Sequence, residues 1–180
     1  MRPALVVASL VLANCVLSSQ TAGPGSVPSS AVAVQMAPFA GTWLLVGTRQ
    51  RMIDGSIRPD PDLGPRPSGY LMFDATAGQM CVVMNNGDRA QWKDASKPTD
   101  AEARAIWDQT VSYCAAWTVD ATRGELVYKL GVNMSPNTIG SERRRRFTLA
   151  QDRLILYPTP LPAGVSEWTV EWRKAPARID

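Results

Sequence analysis

The sequence predicts an all-β domain of about eight short antiparallel strands, closed as an up-and-down barrel or stacked as a sandwich, with one short inserted helix. Three observations carry this. From residue 39 onward, runs of apolar, β-branched and aromatic residues recur between tight-turn signals. Several of these runs alternate apolar and polar residues with period two, the mark of half-buried antiparallel strands. A single segment, opening at Pro98, carries a helix-start signature.

Ahead of the strands, residues 1–18 read as an export signal: Arg2 precedes PALVVASLVLANCVL, an apolar stretch too short to span a bilayer. Two processing routes compete. Leu12-Ala13-Asn14-Cys15 resembles the lipobox of bacterial lipoproteins, which would make Cys15 a lipidated first residue and the lipid the only membrane contact. Asn14 departs from the small residue usual at its place, and cleavage around Ser18 to Ala22 is the rival. Either route puts the mature protein in the periplasm, the cell envelope or the medium. Residues 19–37, SQTAGPGSVPSSAVAVQMA, carry no charge and little that can be buried, so a flexible tether is expected there. The folded domain then spans 38–176.

The expected strands are 41–49, 68–74, 79–86, 112–120, 125–134, 143–149, 153–158 and 166–174. Asp54-Gly55-Ser56, Ala77-Gly78, Asn86-Gly87-Asp88 and Arg123-Gly124 supply turns between them. The loop RPDPDLGPRP at 58–67 holds four prolines and is expected to be irregular and exposed. Thr99 and Glu102 form a capping box, after which Ala103, Ile106, Trp107 and Thr110 make an apolar stripe that would pack on the domain. Within the strands, Leu126, Tyr128, Leu130, Val132 and Met134 share one face. So do Tyr113, Ala115, Trp117 and Val119, and Trp168, Val170 and Trp172.

Composition closes off much chemistry. The chain has no histidine, which excludes His-based triads, His-ligated zinc and haem on an axial His. The net charge is only +3, and loss of the signal removes one of the 19 basic residues against 16 acidic ones. Nucleic acid is therefore not an expected partner. No metal cluster, phosphate-cradling loop or nucleophile elbow is present, and no cofactor is expected. Cys81 and Cys114, in neither metal nor redox spacing, either pair as a disulfide in an oxidising compartment or stay as separately buried thiols.

Gly41-Thr42-Trp43 at the head of the first strand is similar to the Gly-x-Trp signature of lipocalins. Other elements follow in order: the loop with Gly64-Pro65, GYLMFDATAGQMCVVM, GDRAQW, TDAEARAIW, SYCAAWTVD, RRFTLAQDRLILYP and WTVEWRK. Together, over residues 39–174, they resemble the bacterial lipocalin-like domain family. The resemblance implies an eight-stranded antiparallel up-and-down lipocalin-like barrel, a helix between the third and fourth strands, and an apolar cavity. Many members carry a histidine pair in the strand matching Leu126 to Val132, where this chain has Tyr128-Lys129.

By the same resemblance Gly41 and Trp43 close one end of the barrel beneath an arginine, with Arg145 ahead of Arg173 for that place. The alternative for Arg145 is an anchor for a ligand carboxylate or phosphate. The run Arg143 to Arg146 cannot share a face in a strand; Arg143 and Arg145 are expected inward, Arg144 and Arg146 outward. Met72, Met84, Tyr113, Trp117 and Tyr128, with Arg145, are the expected ligand contacts. Arg89 and Trp92 are candidates for a lid. The expected function is binding of a small hydrophobic or amphipathic molecule by an exported protein. A histidine-free isomerase, cyclase or hydratase drawing on Tyr113, Tyr128, Asp74 or Arg145, an Asp74–Glu125 acid/base pair, and a cell-envelope interaction module are the alternatives.

Overall fold

The computed structural model describes residues 30–176. Its strands are β1 (Gly41–Met52), β2 (Ile57–Pro59), β3 (Pro67–Asp74), β4 (Gln79–Asn86), β5 (Thr110–Asp120), β6 (Glu125–Asn133), β7 (Glu142–Ala150), β8 (Arg153–Tyr157) and β9 (Val165–Lys174). From β3 onward each strand pairs antiparallel with the next, and β9 pairs back onto β1. The result is a closed eight-stranded up-and-down barrel. The short β2 adds no further stave. β1 is 12 residues long. Its start pairs with β3 at Gly41 to Leu44 and its end with β2 at Arg49 to Arg51, so β2 extends the β3 side of the wall.

Strand direction defines two ends. The start of β1 and the ends of β3, β5, β7 and β9 lie together, and this end is plugged. Phe39 packs edge-on against Phe147, Trp117 and Phe73 at centroid distances of 5.0, 5.8 and 6.0 Å, while Phe73 and Trp117 lie 4.5 Å apart. Such pairs add about 0.5–1.5 kcal/mol each beyond the apolar area they bury. Of the tether expected over 19–37, the part from Ser30 onward is described, and it is folded. Residues Ser30–Met36 form helix α1, a 3-10 turn Ala37–Phe39 follows, and Met36 is fully buried in the core. Val32 and Met36 sit four residues apart and so share a helix face, a spacing masked by the surrounding Ser and Ala. The rest of that segment, the signal at 1–18 and Cys15 lie outside the described residues.

Two bulges reset the inward pattern. The β1–β9 register shifts between Leu45 and Gly47, after which Thr48 and Gln50 are the buried positions. The β5–β6 register shifts at Gly131, so Val132 faces out and is 66% exposed. The expected common face of Leu126, Tyr128, Leu130, Val132 and Met134 therefore holds only as far as Leu130. One extra residue against a single partner flips every later side chain.

Outside the barrel, Cys81 and Cys114 are directly opposed in the β4–β5 register, with Cα atoms 4.1 Å apart and sulfurs bonded at 2.09 Å. They are a half-exposed cross-strand disulfide rather than separately buried thiols. Helix α2 (Asp100–Asp108) carries the expected capping box at Thr99 and Glu102. Its stripe does not pack as expected, for α2 buries none of its residues and Trp107 is exposed. The strands already complete the core without it.

Two measurements check these placements. Met36→Ala should cost about 2–5 kcal/mol in urea denaturation, as for a buried methionine; a change within about 0.5 kcal/mol would mean residue 36 belongs to a tether. Reducing the Cys81–Cys114 bond, which spans 33 residues, should lower stability by about 2–4 kcal/mol.

Candidate functional site

At the end opposite the plug the barrel is not filled. A cavity of about 160 Å³ opens among the inward side chains of seven strands. Leu71, Met80, Val82, Leu156, Val170 and Trp172 form its apolar floor and walls; Met84, Val111, Tyr113, Tyr128, Arg143, Arg145, Pro158 and Trp168 stand nearer the mouth. β5, β6 and β7 place the polar members. Arg143 is the direct cross-strand partner of Tyr128, and Arg145 is two residues further on the same face, opposite Leu126. The Arg143 guanidinium lies over the Tyr113 ring, 5.3 Å from its centroid, an arrangement worth about 0.5–2 kcal/mol.

The four arginines of this run have four different surroundings. Arg144, on the outer face, pairs with Glu142 at 2.9 Å, Asp120 at 3.1 Å and Glu125 at 3.4 Å. Arg146 lies over Tyr157 at 5.1 Å. Arg143 covers Tyr113. Arg145 has no carboxylate within 4.0 Å among the described residues; its Nη1 donates to the carbonyls of Thr159 (2.8 Å) and Arg144 (2.9 Å). Alternation sends Arg143 and Arg145 inward and Arg144 and Arg146 outward, and the neighbours on each face separate the members of each pair.

Three cavity-lining groups have no hydrogen-bond partner among the described residues: the Tyr128 hydroxyl and the indole Nε1 of Trp168 and Trp172. Tyr128 and Trp172 are each only 1% exposed. Leaving such a group unpaired costs about 1–3 kcal/mol, and the tight packing around the rings holds it in place. Burial pushes the Tyr128 phenol well up and the Tyr113 phenol up, opposed by the positive charge of Arg145. It pulls the Arg145 guanidinium down, opposed by the two tyrosines. Both phenols thus stay protonated, as hydrogen-bond donors and not as bases.

The proline-rich loop is the part of the site that sequence reasoning missed. Residues 58–67 are mostly exposed and irregular, as expected, but Asp60 and Leu63 turn inward at the mouth. Asp60 and Leu63 are buried there, and both line the cavity with the exposed Asp62. Asp60 Oδ1 accepts from the amides of Asp62 (3.0 Å) and Leu63 (3.1 Å), and its carbonyl accepts from Gly64. The signal was the Asp followed three residues later by an apolar residue, a side-chain-capped turn that can turn Leu63 inward.

Other expectations need correction. Met72 is 45% exposed and faces outward, because its neighbours Leu71 and Phe73 take the inner face of β3. Trp117 points inward but belongs to the plug, where its Nε1 donates to Asp74 O at 3.2 Å; it does not line the cavity. Met84, Tyr113, Tyr128 and Arg145 do line it. Arg145 does not close the barrel over Trp43, nor does Arg173. Lys174 does, directly paired with Trp43 in the β1–β9 register and with Nζ 5.2 Å from the indole centroid. Trp43 Nε1 donates to Phe39 O at 2.7 Å, and Gly41 adopts φ 107°, which a side chain would strain. Asp74 Oδ1 accepts from the turn amides of Thr76 and Ala77, and Glu125 pairs with Arg144, so these two make no acid/base couple. Arg89 and Trp92 line a separate shallow groove with Ile106, away from the cavity.

The buried phenols give the site a pH signature. Their folded-state pKa values lie above the ordinary 10.0, so the folded chain holds these protons more tightly than the unfolded one. Their contribution is complete below pH 10 and is lost as the pH rises through and beyond it. Tyr128→Phe should therefore lose less stability than the wild type between about pH 9 and pH 11 in denaturant titrations. An identical loss would place the Tyr128 hydroxyl in water.

The model of the lipocalin-like domain family matches residues 40–175, from the glycine-flanked opening of β1 to the residue after β9. No curated protein and no solved structure matches the sequence. The match takes in every barrel strand and the cavity, and the chain belongs to the lipocalin-like domain family.

Proposed function

We propose that this protein is an exported container that binds one small apolar or amphipathic molecule, of about one ring, in the barrel cavity. The observation that carries it is the unfilled space of about 160 Å³ at one end of an otherwise tightly packed barrel. An apolar cavity of about 150 Å³ suffices to bind benzene. Family membership supports a ligand-binding barrel. The export reading rests on the apolar N-terminal stretch and on the Cys81–Cys114 bond, of a kind that persists in oxidising compartments.

The geometry favours binding over catalysis. The phenols inside are driven away from neutral pKa values, and the candidate bases Asp74 and Glu125 are engaged outside the barrel. A structural module would be expected to fill its barrel; this one does not.

The test is direct. Native mass spectrometry of the protein from its own host should show a small co-purifying molecule, and the mature mass should show whether Cys15 carries lipid. Calorimetric titration with an uncharged single-ring probe such as indole should give one site per chain. Met84→Trp places a large ring at the mouth and should weaken that binding at least about ten-fold (about 1.4 kcal/mol) while the far-ultraviolet spectrum and thermal midpoint stay close to wild type. Binding unaffected by Met84→Trp would put the site elsewhere.

A further inference from the structure

The polar lining of the cavity divides in two, with donors on the side of β6, β7 and β9 and the carboxylates of Asp60 and Asp62 on the loop. On the first of these sides are a β7 guanidinium with no carboxylate partner among the described residues, a β6 phenol and two β9 indoles. An indole N–H and a guanidinium can only donate, and a protonated phenol donates readily. What this side lacks is an acceptor. Arg145 is also oriented. Its Nη1 is held by the Thr159 and Arg144 carbonyls, while its Nε and Nη2 have no partner among the described residues. Those two N–H groups form the edge that grips a carboxylate through two parallel hydrogen bonds. The backbone carbonyls thus fix the guanidinium without neutralising it.

Resting on the container reading above, we propose that the ligand is an organic carboxylate of about one ring. Its carboxylate lies on the free Nε–Nη2 edge of Arg145, within reach of the Tyr128 hydroxyl. Its apolar body lies against Leu71, Val82, Leu156 and Trp172. Arg143, stacked on Tyr113, adds a second positive charge at the mouth. The opposite rim carries Asp60 and Asp62, neither within 4.0 Å of either arginine. Asp60 is committed to the loop amides. The two rims set up a field that turns the anionic end toward β7, and the acidic rim disfavours a dianion. This selects a carboxylate over a phosphate ester.

The experiment is a matched pair. Phenylacetate and phenylacetamide, nearly equal in shape and differing in charge, are titrated calorimetrically at pH 7.5 into wild type, Arg145→Gln, Arg145→Lys and Tyr128→Phe, with thermal midpoints recorded for each. Wild type should prefer the acid by at least about ten-fold. Arg145→Gln should reduce that preference to less than about two-fold without weakening the amide, and Arg145→Lys should retain part of it, since a point charge lacks the fork. Tyr128→Phe should weaken the acid by about three- to ten-fold. Inorganic phosphate should not compete. If the amide binds wild type as tightly as the acid, or phosphate displaces the acid at equal concentration, the carboxylate subsite is wrong and the container stands. If neither probe binds and indole also fails, the container reading falls with it. Should an Arg145 variant not fold, the wild-type acid-to-amide ratio alone decides.

Discussion

The pairing of β1 with β9 is the contact on which the other features of this molecule rest. It runs from Trp43 opposite Lys174 to Met52 opposite Val165, nearly the full length of β1, and it converts a meander of hairpins into a closed wall. Closure gives the sheet an inside, satisfies its edge amides and brings the last strand of the chain against the first. The same register sets Lys174 over Trp43 at the plugged end. Near the mouth it sets Gln50 opposite Trp168. One run of hydrogen bonds therefore positions both a residue of architecture and a wall of the cavity.

The two ends of the barrel solve the problem of filling an interior in opposite ways. At the plugged end Phe39, Phe73, Trp117 and Phe147 interlock, and the Trp43 and Trp117 indoles find backbone carbonyls. Nothing there is unsatisfied among these indoles. In the cavity, Trp168 near the mouth and Trp172 at the floor, the same residue type in the same fold, have no such partner among the described residues. A folding domain gains nothing from that arrangement, since each orphan costs stability. Among the described residues, Tyr128, Trp168 and Trp172 concentrate this cost in one cavity, with Thr48 Oγ1 the one such group elsewhere, and the concentration supports the binding reading.

Much of this was legible in the sequence, and the misses have physical causes. Gly41-Thr42-Trp43, the period-two runs of β5, β6 and β9, and the capping box of α2 located the barrel, its opening strand and its helix. Parity correctly sent Tyr113, Tyr128, Arg143 and Arg145 inward. Parity does not say at which end a residue lies, and Arg145 was consequently offered to Trp43. The antiparallel course of the chain decides that: the first half of β7 and the first residues of β1 lie at opposite ends. The bulge at Gly131 was invisible because a single inserted residue leaves no compositional trace. Met72 was misplaced because both faces of β3 are apolar. Met36 and the 60–63 turn were hidden in segments whose overall composition spoke of loops.

The central claim is that the space between Trp168, Trp172 and Arg145 is where a ligand sits. The measurement closest to it follows the six tryptophan indole N–H resonances by ¹⁵N-edited NMR during titration with a single-ring carboxylate. The Trp168 and Trp172 signals should move to saturation. Those of Trp43 and Trp117, already bonded to Phe39 O and Asp74 O, should stay in place, as should the exposed Trp92 and Trp107. Movement of Trp92 and Trp107 with Trp168 and Trp172 unmoved would contradict the account.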